Sequence, residues 1–206
     1  MKKTILTILC ALMALFAMAQ TEPLRIAVCG LSHGHLNDVL VRMDRGDFTV
    51  VGAWEPNDEF RRINDLARRV PAEKLYADID KMLDELKPEA VVSYGSILEH
   101  MQVVEACAPR GIHVMVEKPL ATTYKQALRM KQLAEKYGIH IMVNYETTWY
   151  AANHRAFQIA ESGTLGAIRR INVYDGHQGP VEIGCDKKFL DWLTDPVLNG
   201  AGALFD

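Results

Sequence analysis

From Leu24 onward, short β-branched apolar runs alternate with amphipathic segments, and that alternation admits few folds. A strand, a helix and a second strand in succession close most readily into a parallel pair with the helix crossing over one face. Runs of this kind predict strands near Leu24 to Cys29, Thr49 to Trp54, Ala90 to Ser93, Ile112 to Val116 and His140 to Val143. Between them, Leu36, Val39, Leu40 and Met43 follow the i, i+3, i+4, i+7 spacing of one buried helix face, and Val103, Val104 and Cys107, then Leu128, Leu133 and Ala134, read likewise. The expected class is α/β, a doubly wound parallel sheet covered by helices on both faces. With 49% hydrophobic and 24% charged residues and a formal net charge of −3, the chain has the material for a core. The balance of 23 Lys plus Arg against 26 Asp plus Glu implies no basic face, so no nucleic-acid partner is expected. Cys10, Cys29, Cys107 and Cys185 form no close pair, which argues against a cysteine metal site or a dense disulfide framework; the last three read as small buried hydrophobes.

Two segments flank this core. Residues 1–19 carry Lys2 and Lys3, an apolar run from Ile5 to Ala17, and Ala17-Met18-Ala19 in the small-x-small pattern of a cleavable signal peptide. The run is shorter than the roughly 20 residues that span a bilayer, so cleavage is expected rather than anchoring, leaving no stable membrane span and a periplasmic or secreted protein. Residues 20–144 form the first expected domain and 145–206 the start of a second, an incomplete α/β substrate domain. There an aromatic and polar stretch precedes a helix ending near Glu161, Ile168 to Tyr174 reads as a strand, and the rest is irregular. About sixty residues are few for an independent domain, which suggests a fragment.

The first strand runs into Cys29-Gly30-Leu31-Ser32-His33-Gly34-His35, a glycine at a strand end just before a helix. Backbone N–H groups and the helix dipole at such a turn can hold a pyrophosphate. The G-x-G-x-x-G fingerprint is degenerate, with Ser32 at the second glycine and His35 at the third. Glu55 closes the second strand 25 residues after Gly30, where an acid can bind adenosine ribose hydroxyls and repel a 2′-phosphate. A Rossmann-type site for NAD, less so for NADP, follows, with Gly30, Leu31, Ser32, His33 and Glu55 as cofactor-binding candidates. Arg61, Arg62, Arg68 and Arg69 read as the solvated face of a helix, although Arg61 or Arg62 could alter the NAD preference. His33 and His35, two apart with no carboxylate or cysteine motif beside them, are a weak ligand set. No metal is expected; polar contacts at the crevice are.

Gly111-Ile112-His113-Val114-Met115-Val116-Glu117-Lys118-Pro119-Leu120 ends a strand at the sheet edge where open α/β proteins bind ligands. Here the chain closely resembles the glucose–fructose oxidoreductase/inositol dehydrogenase (Gfo/Idh/MocA) family. The likeness extends through Asp78 to Leu83, His100, Ser162 to Gly166 and the Gly200 to Asp206 run. The resemblance implies an NAD(P)-dependent oxidoreductase that transfers hydride at a carbinol carbon of a sugar, glycoside or cyclitol. It assigns Lys118 a catalytic place beside the nicotinamide and Glu117 a cofactor contact. Asp206 matches a second catalytic signature whose histidine would fall four residues later. The family's usual Thr-Pro at the fourth strand end is Ser93-Tyr94 here, leaving Ser93 as the nucleotide-contact candidate and His100 as packed, capping or functional. Asn144 is a further cofactor candidate. Tyr145, Trp149, Tyr150 and His154 could hold a sugar ring or form a domain-interface core. A secreted member implies a tightly bound, recycled cofactor, with a redox-neutral glycoside hydrolase or a non-catalytic carbohydrate-binding relative as alternatives, and homo-oligomers occur among relatives.

Overall fold

The computed structural model describes residues 22–63, 65–174, 176 and 178–200; the leader and Asp206 lie outside the described residues. Strands β1 (Leu24–Cys29), β2 (Phe48–Trp54), β3 (Leu75–Tyr76), β4 (Ala90–Ser93), β5 (His113–Glu117) and β6 (Ile141–Asn144) form one sheet in the order β3-β2-β1-β4-β5-β6. Every neighbouring pair is parallel. The crossovers carry α1 (Leu36–Arg45), α2 (Asp58–Ile63), α3 (Asp65–Arg69), α4 (Ile79–Leu86), α5 (Ile97–Cys107) and α6 (Tyr124–Tyr137), and α7 (Ala151–Glu161) and α8 (Lys187–Leu193) follow the sheet. Because the chain winds outward from β1 to β3 and then returns to β4 beside β1, the direction of winding reverses between β1 and β4. Open sheets bind ligands outside the carboxyl ends of the strands at such a reversal.

The two-residue alternation of β1 divides the core. Ala27 and Cys29 face one way and pack with Val91, Val114 and Val116 under α4, α5 and α6, where Met82, Leu83, Val103, Val104, Met130 and Leu133 are buried. Ile26 and Val28 face the other way, under Leu36, Val39 and Leu40 of α1 and Leu66 of α3. Each such side chain contributes about 1.5–3 kcal/mol by leaving water. Cys29 and Cys107 lie in the first layer, fully buried, and burial pushes both thiols up, Cys107 to about 12. They behave as the small hydrophobes the sequence suggested.

Helix starts follow local chemistry. Asp78 accepts from the Lys81 N–H at 3.0 Å to open α4, and the Ser96 N–H donates to Glu99 at 2.6 Å to open α5. Leu128, expected on the buried face of α6, is instead exposed, Met130 being buried beside Leu133, and two expectations about strands also differ from the structure. Strand β3 was not anticipated, because two residues carry no periodicity; it forms by pairing Leu75 and Tyr76 with Ala53 and Trp54. The strand expected over Ile168 to Tyr174 is absent and its apolar side chains are exposed, Tyr174 to 94%. A strand needs a neighbour for its N–H and C=O groups, and none of the described residues pairs with this stretch. No helix among the described residues is long and apolar enough to cross a membrane.

Candidate active site

Register brings the strand ends together. Cys29 is level with Trp54 on one side and Ser93 on the other, Ser93 with Val116, and Glu117 with Asn144. Gly30, Glu55, Ser93, Glu117, Lys118 and Asn144 therefore share one carboxyl edge, although they come from five strand ends.

Gly30 is glycine for two reasons. Its φ of +77° is the left-handed region, and a Cβ there would lie 2.4 Å from the Gly95 amide nitrogen. The β1–α1 and β4–α5 turns thus touch backbone to backbone. The amides expected to cradle a pyrophosphate are bonded within the protein. The Leu31 N–H donates to Glu55 Oε2 at 2.8 Å, and the Ser32 and His33 N–H groups donate to the Tyr94 carbonyl at 3.2 and 2.9 Å. Phosphate at this turn must therefore rely on the dipole of α1 or exchange these bonds.

Glu55 is buried, its second oxygen accepting the Asn57 N–H at 2.9 Å. Burial raises its pKa, against the opposing pull of the two amides. It braces the glycine turn, and only its remaining lone pairs are left for ribose hydroxyls. Arg61 departs from the expected solvated face. Its guanidinium donates to the Glu55 carbonyl and pairs with Asp58, whereas Arg68 and Arg69 form exposed pairs with Asp65 and Asp44.

Glu117 is wholly buried. Its Oε1 accepts Asn144 Nδ2 at 2.6 Å, and its Oε2 lies 3.1 Å from His35 Nδ1 and 3.3 Å from the Lys118 N–H. Burial would raise this carboxyl, but the hydrogen bonds from His35 and Asn144 and the nearby His33 hold it below its ordinary value. Reciprocally, the hydrogen bond to Glu117 raises half-buried His35. Lys118 thus leaves the sheet from an anchored strand end, at a cis peptide to Pro119. Beneath it, buried His100 meets the Leu120 carbonyl through Nδ1 at 3.2 Å, and burial lowers its pKa to about 4. Its Nδ1 contact ties α5 to the turn that follows Lys118, which fits the packed reading among the three the sequence left open.

The structure adds residues that the sequence reading passed over. Trp192 of α8 donates from Nε1 to Ser32 Oγ at 3.0 Å, and Phe189 meets the His33 ring edge-on at 4.8 Å. Together with Leu193 and Ile97 they form a separate apolar cluster over the turn. The i, i+3 spacing of Phe189 and Trp192 was the available signal, but nothing in it named the turn as partner. Ser93 Oγ is buried without a hydrogen-bond partner among the described residues, leaving polar capacity at the crevice floor. The aromatic candidates are less enclosed. Tyr145, Trp149, Tyr150 and His154 are exposed. Trp149 and Tyr150 border an open groove along Ile26, Val92, Met115 and Met142.

Comparison with known proteins places this arrangement. Residues 24–145 match the family model GFO_IDH_MocA, described as oxidoreductase family, NAD-binding Rossmann fold. The chain is 24% identical over 123 residues to myo-inositol 2-dehydrogenase of Thermotoga maritima, covering 59% of this chain and 37% of that protein. It is 33% identical over 91 residues to dTDP-3,4-didehydro-2,6-dideoxy-alpha-D-glucose 3-reductase of Streptomyces antibioticus, covering 44% and 28%. An inositol dehydrogenase homolog from Azotobacter vinelandii, solved with NAD+, superposes with a TM-score of 0.72 at 22% identity over 87% of this chain and 49% of that one. The chain spans less than half the length of each of these. With its glycine turn, its strand-end acids and the match across the whole six-stranded sheet, the chain belongs to the GFO_IDH_MocA oxidoreductase family through its NAD-binding Rossmann fold.

Proposed function

We propose that this chain carries the cofactor half of an oxidoreductase that transfers hydride at a carbinol carbon of a sugar, glycoside or cyclitol, using tightly held NAD in preference to NADP. The observation that carries the reading is Lys118, set at the sheet's carboxyl edge by the fully buried, doubly hydrogen-bonded Glu117, two strands from the Gly30 turn. NAD, when bound, supplies the hydride acceptor. The chain's own residues do the rest. The Lys118 side chain orients the carbinol oxygen and relays its proton as the C–H bond breaks. Glu117 and Asn144 fix the strand end that carries Lys118, and Glu117 would hold the nicotinamide ribose. Glu55 disfavours a 2′-phosphate by its charge, and the unpartnered Ser93 hydroxyl suits a polar cofactor group. The sugar and cyclitol relatives named above support the substrate class. The N-terminal leader pattern supports export, and a recycled cofactor follows from the scarcity of free nicotinamide nucleotide outside the cytoplasm.

The test is to purify the protein without added cofactor, denature it and weigh what is released. Stoichiometric NAD or NADH is expected. A folded protein that releases no nucleotide and takes up none from supplied NAD overturns the reading. Lys118→Ala should retain NAD and abolish turnover across a panel of sugars, glycosides and cyclitols, and unchanged turnover removes Lys118 from the chemistry. A keto product marks net oxidation, while a released aglycone without net NADH marks redox-neutral hydrolysis.

A further inference from the structure

The hydride step itself calls on neither His33 nor His35, and the fold brings to them the carboxylate that their local sequence lacks. One ligating atom from each of His33, His35 and Glu117 can be chosen so that all three lie within 4.8 Å of one another. We propose that these residues bind one divalent transition-metal ion, with Zn2+ the best match.

The donor set is the first argument. Two imidazoles and one carboxylate suit zinc and its first-row neighbours, whereas calcium and magnesium favour oxygen ligands throughout. The spacing is the second. His35 Nδ1 and Glu117 Oε2 are 3.1 Å apart, near the ~3.4 Å between two ligands of a tetrahedral zinc. The His33 donor, no more than 4.8 Å from the other two, reaches the same spacing with a movement of about 1.4 Å or less. The supporting residues are the third. Asn144 holds Glu117 Oε1, which leaves Oε2 facing the histidines. The His33 ring is packed by Phe189 and lies near Tyr94 and Trp192. Outer contacts of this kind orient ligands and keep water away. His33 and Glu117 are buried while His35 is part-exposed, so an ion can enter from the His35 side and keep its fourth position open there. Binding displaces the His35–Glu117 hydrogen bond and, if His33 ligates through Nδ1, the 3.1 Å bond that this atom accepts from the His35 N–H. A proton leaves in exchange for the ion. An oxygen ligand in the open position would be polarised; that use rests on the hydride-transfer reading, but the site itself does not.

The experiment needs neither nicotinamide nor substrate. The purified protein is stripped with a chelator and titrated with Zn2+ against a chromophoric competitor, then with Co2+ followed by visible absorption. One Zn2+ per chain with submicromolar affinity and the intense bands of four-coordinate Co2+ are expected. His35→Ala and Glu117→Gln should each weaken Zn2+ by at least about 100-fold, the upper end of what losing a supporting residue costs. The exposed His113–His140 pair, whose rings lie 5.0 Å apart, serves as the control, and His140→Ala should leave the affinity unchanged. Circular dichroism establishes that each variant is folded; if Glu117→Gln is not, part-exposed His35→Ala decides. No stoichiometric binding, affinity unchanged in folded His35→Ala, or binding lost in His140→Ala overturns the proposal and leaves the cluster as a hydrogen-bonded network.

Discussion

Glu55 and His100 show how single buried polar groups support this edge of the sheet. Glu55 accepts from two backbone amides at once, so Glu55→Ala removes both of these buried charge-assisted bonds at a cost of about 1–3 kcal/mol. The loss should appear as a lower denaturant midpoint, whether or not nucleotide is present. His100 sets a pH dependence. Its folded pKa of about 4 lies below the ordinary value near 6.5. Within that window the unfolded chain binds a proton that the folded chain does not. Stability is therefore full above about pH 6.5, falls as pH drops toward 4, and changes by about 3 kcal/mol in all. His100→Gln keeps an amide donor for the Leu120 carbonyl and does not titrate, so urea midpoints measured across this range should lose that part of the slope. The sequence placed Gly30, Glu55, Glu117 and Lys118 correctly at the carboxyl edge of the sheet because each sits at a predicted strand end. The His35–Glu117 contact was not, since its partners are 82 residues apart.

At the scale of elements, the glycine turns separate conformational strain from crowding. Gly138 caps α6 with a φ of +68° and open space around its Cα, whereas Gly30 has a similar φ and no room. Gly138→Ala should cost roughly 1–2 kcal/mol, the strain of a left-handed residue. Gly30→Ala adds collision with Gly95 and should cost about 3 kcal/mol or more. Equilibrium unfolding of the two variants measures the difference, and equal losses would mean that the two turns can move apart. Five of the six strands were legible to within about a residue at each end, because a strand buried in a parallel sheet is a continuous apolar run. Ile168 to Tyr174 has the same local pattern, and it shows that composition alone does not make a strand.

For the whole molecule, α8 is held over the glycine turn by a cluster distinct from the two that sandwich the sheet. Trp192→Ala removes both its packing and its bond to Ser32, a loss of about 3–5 kcal/mol for a buried tryptophan. Because that cluster is separate, the loss should release α8 rather than melt the sheet. Limited proteolysis at Lys187 or Lys188 should then accelerate while the main unfolding transition stays in place. A parallel shift of both would make α8 part of the same cooperative unit. The sequence by itself determined the layered α/β architecture and which residues stand at the strand ends, because hydrophobic periodicity and glycine turns act over a few residues. Only the tertiary structure decided which side chains meet there: that Glu117 joins His33, His35 and Asn144, that Tyr94 and Glu55 occupy the turn's amides, and that Trp192 covers it. Those contacts depend on strand order and register, which are settled by the packing of the whole sheet and leave no local pattern in the chain.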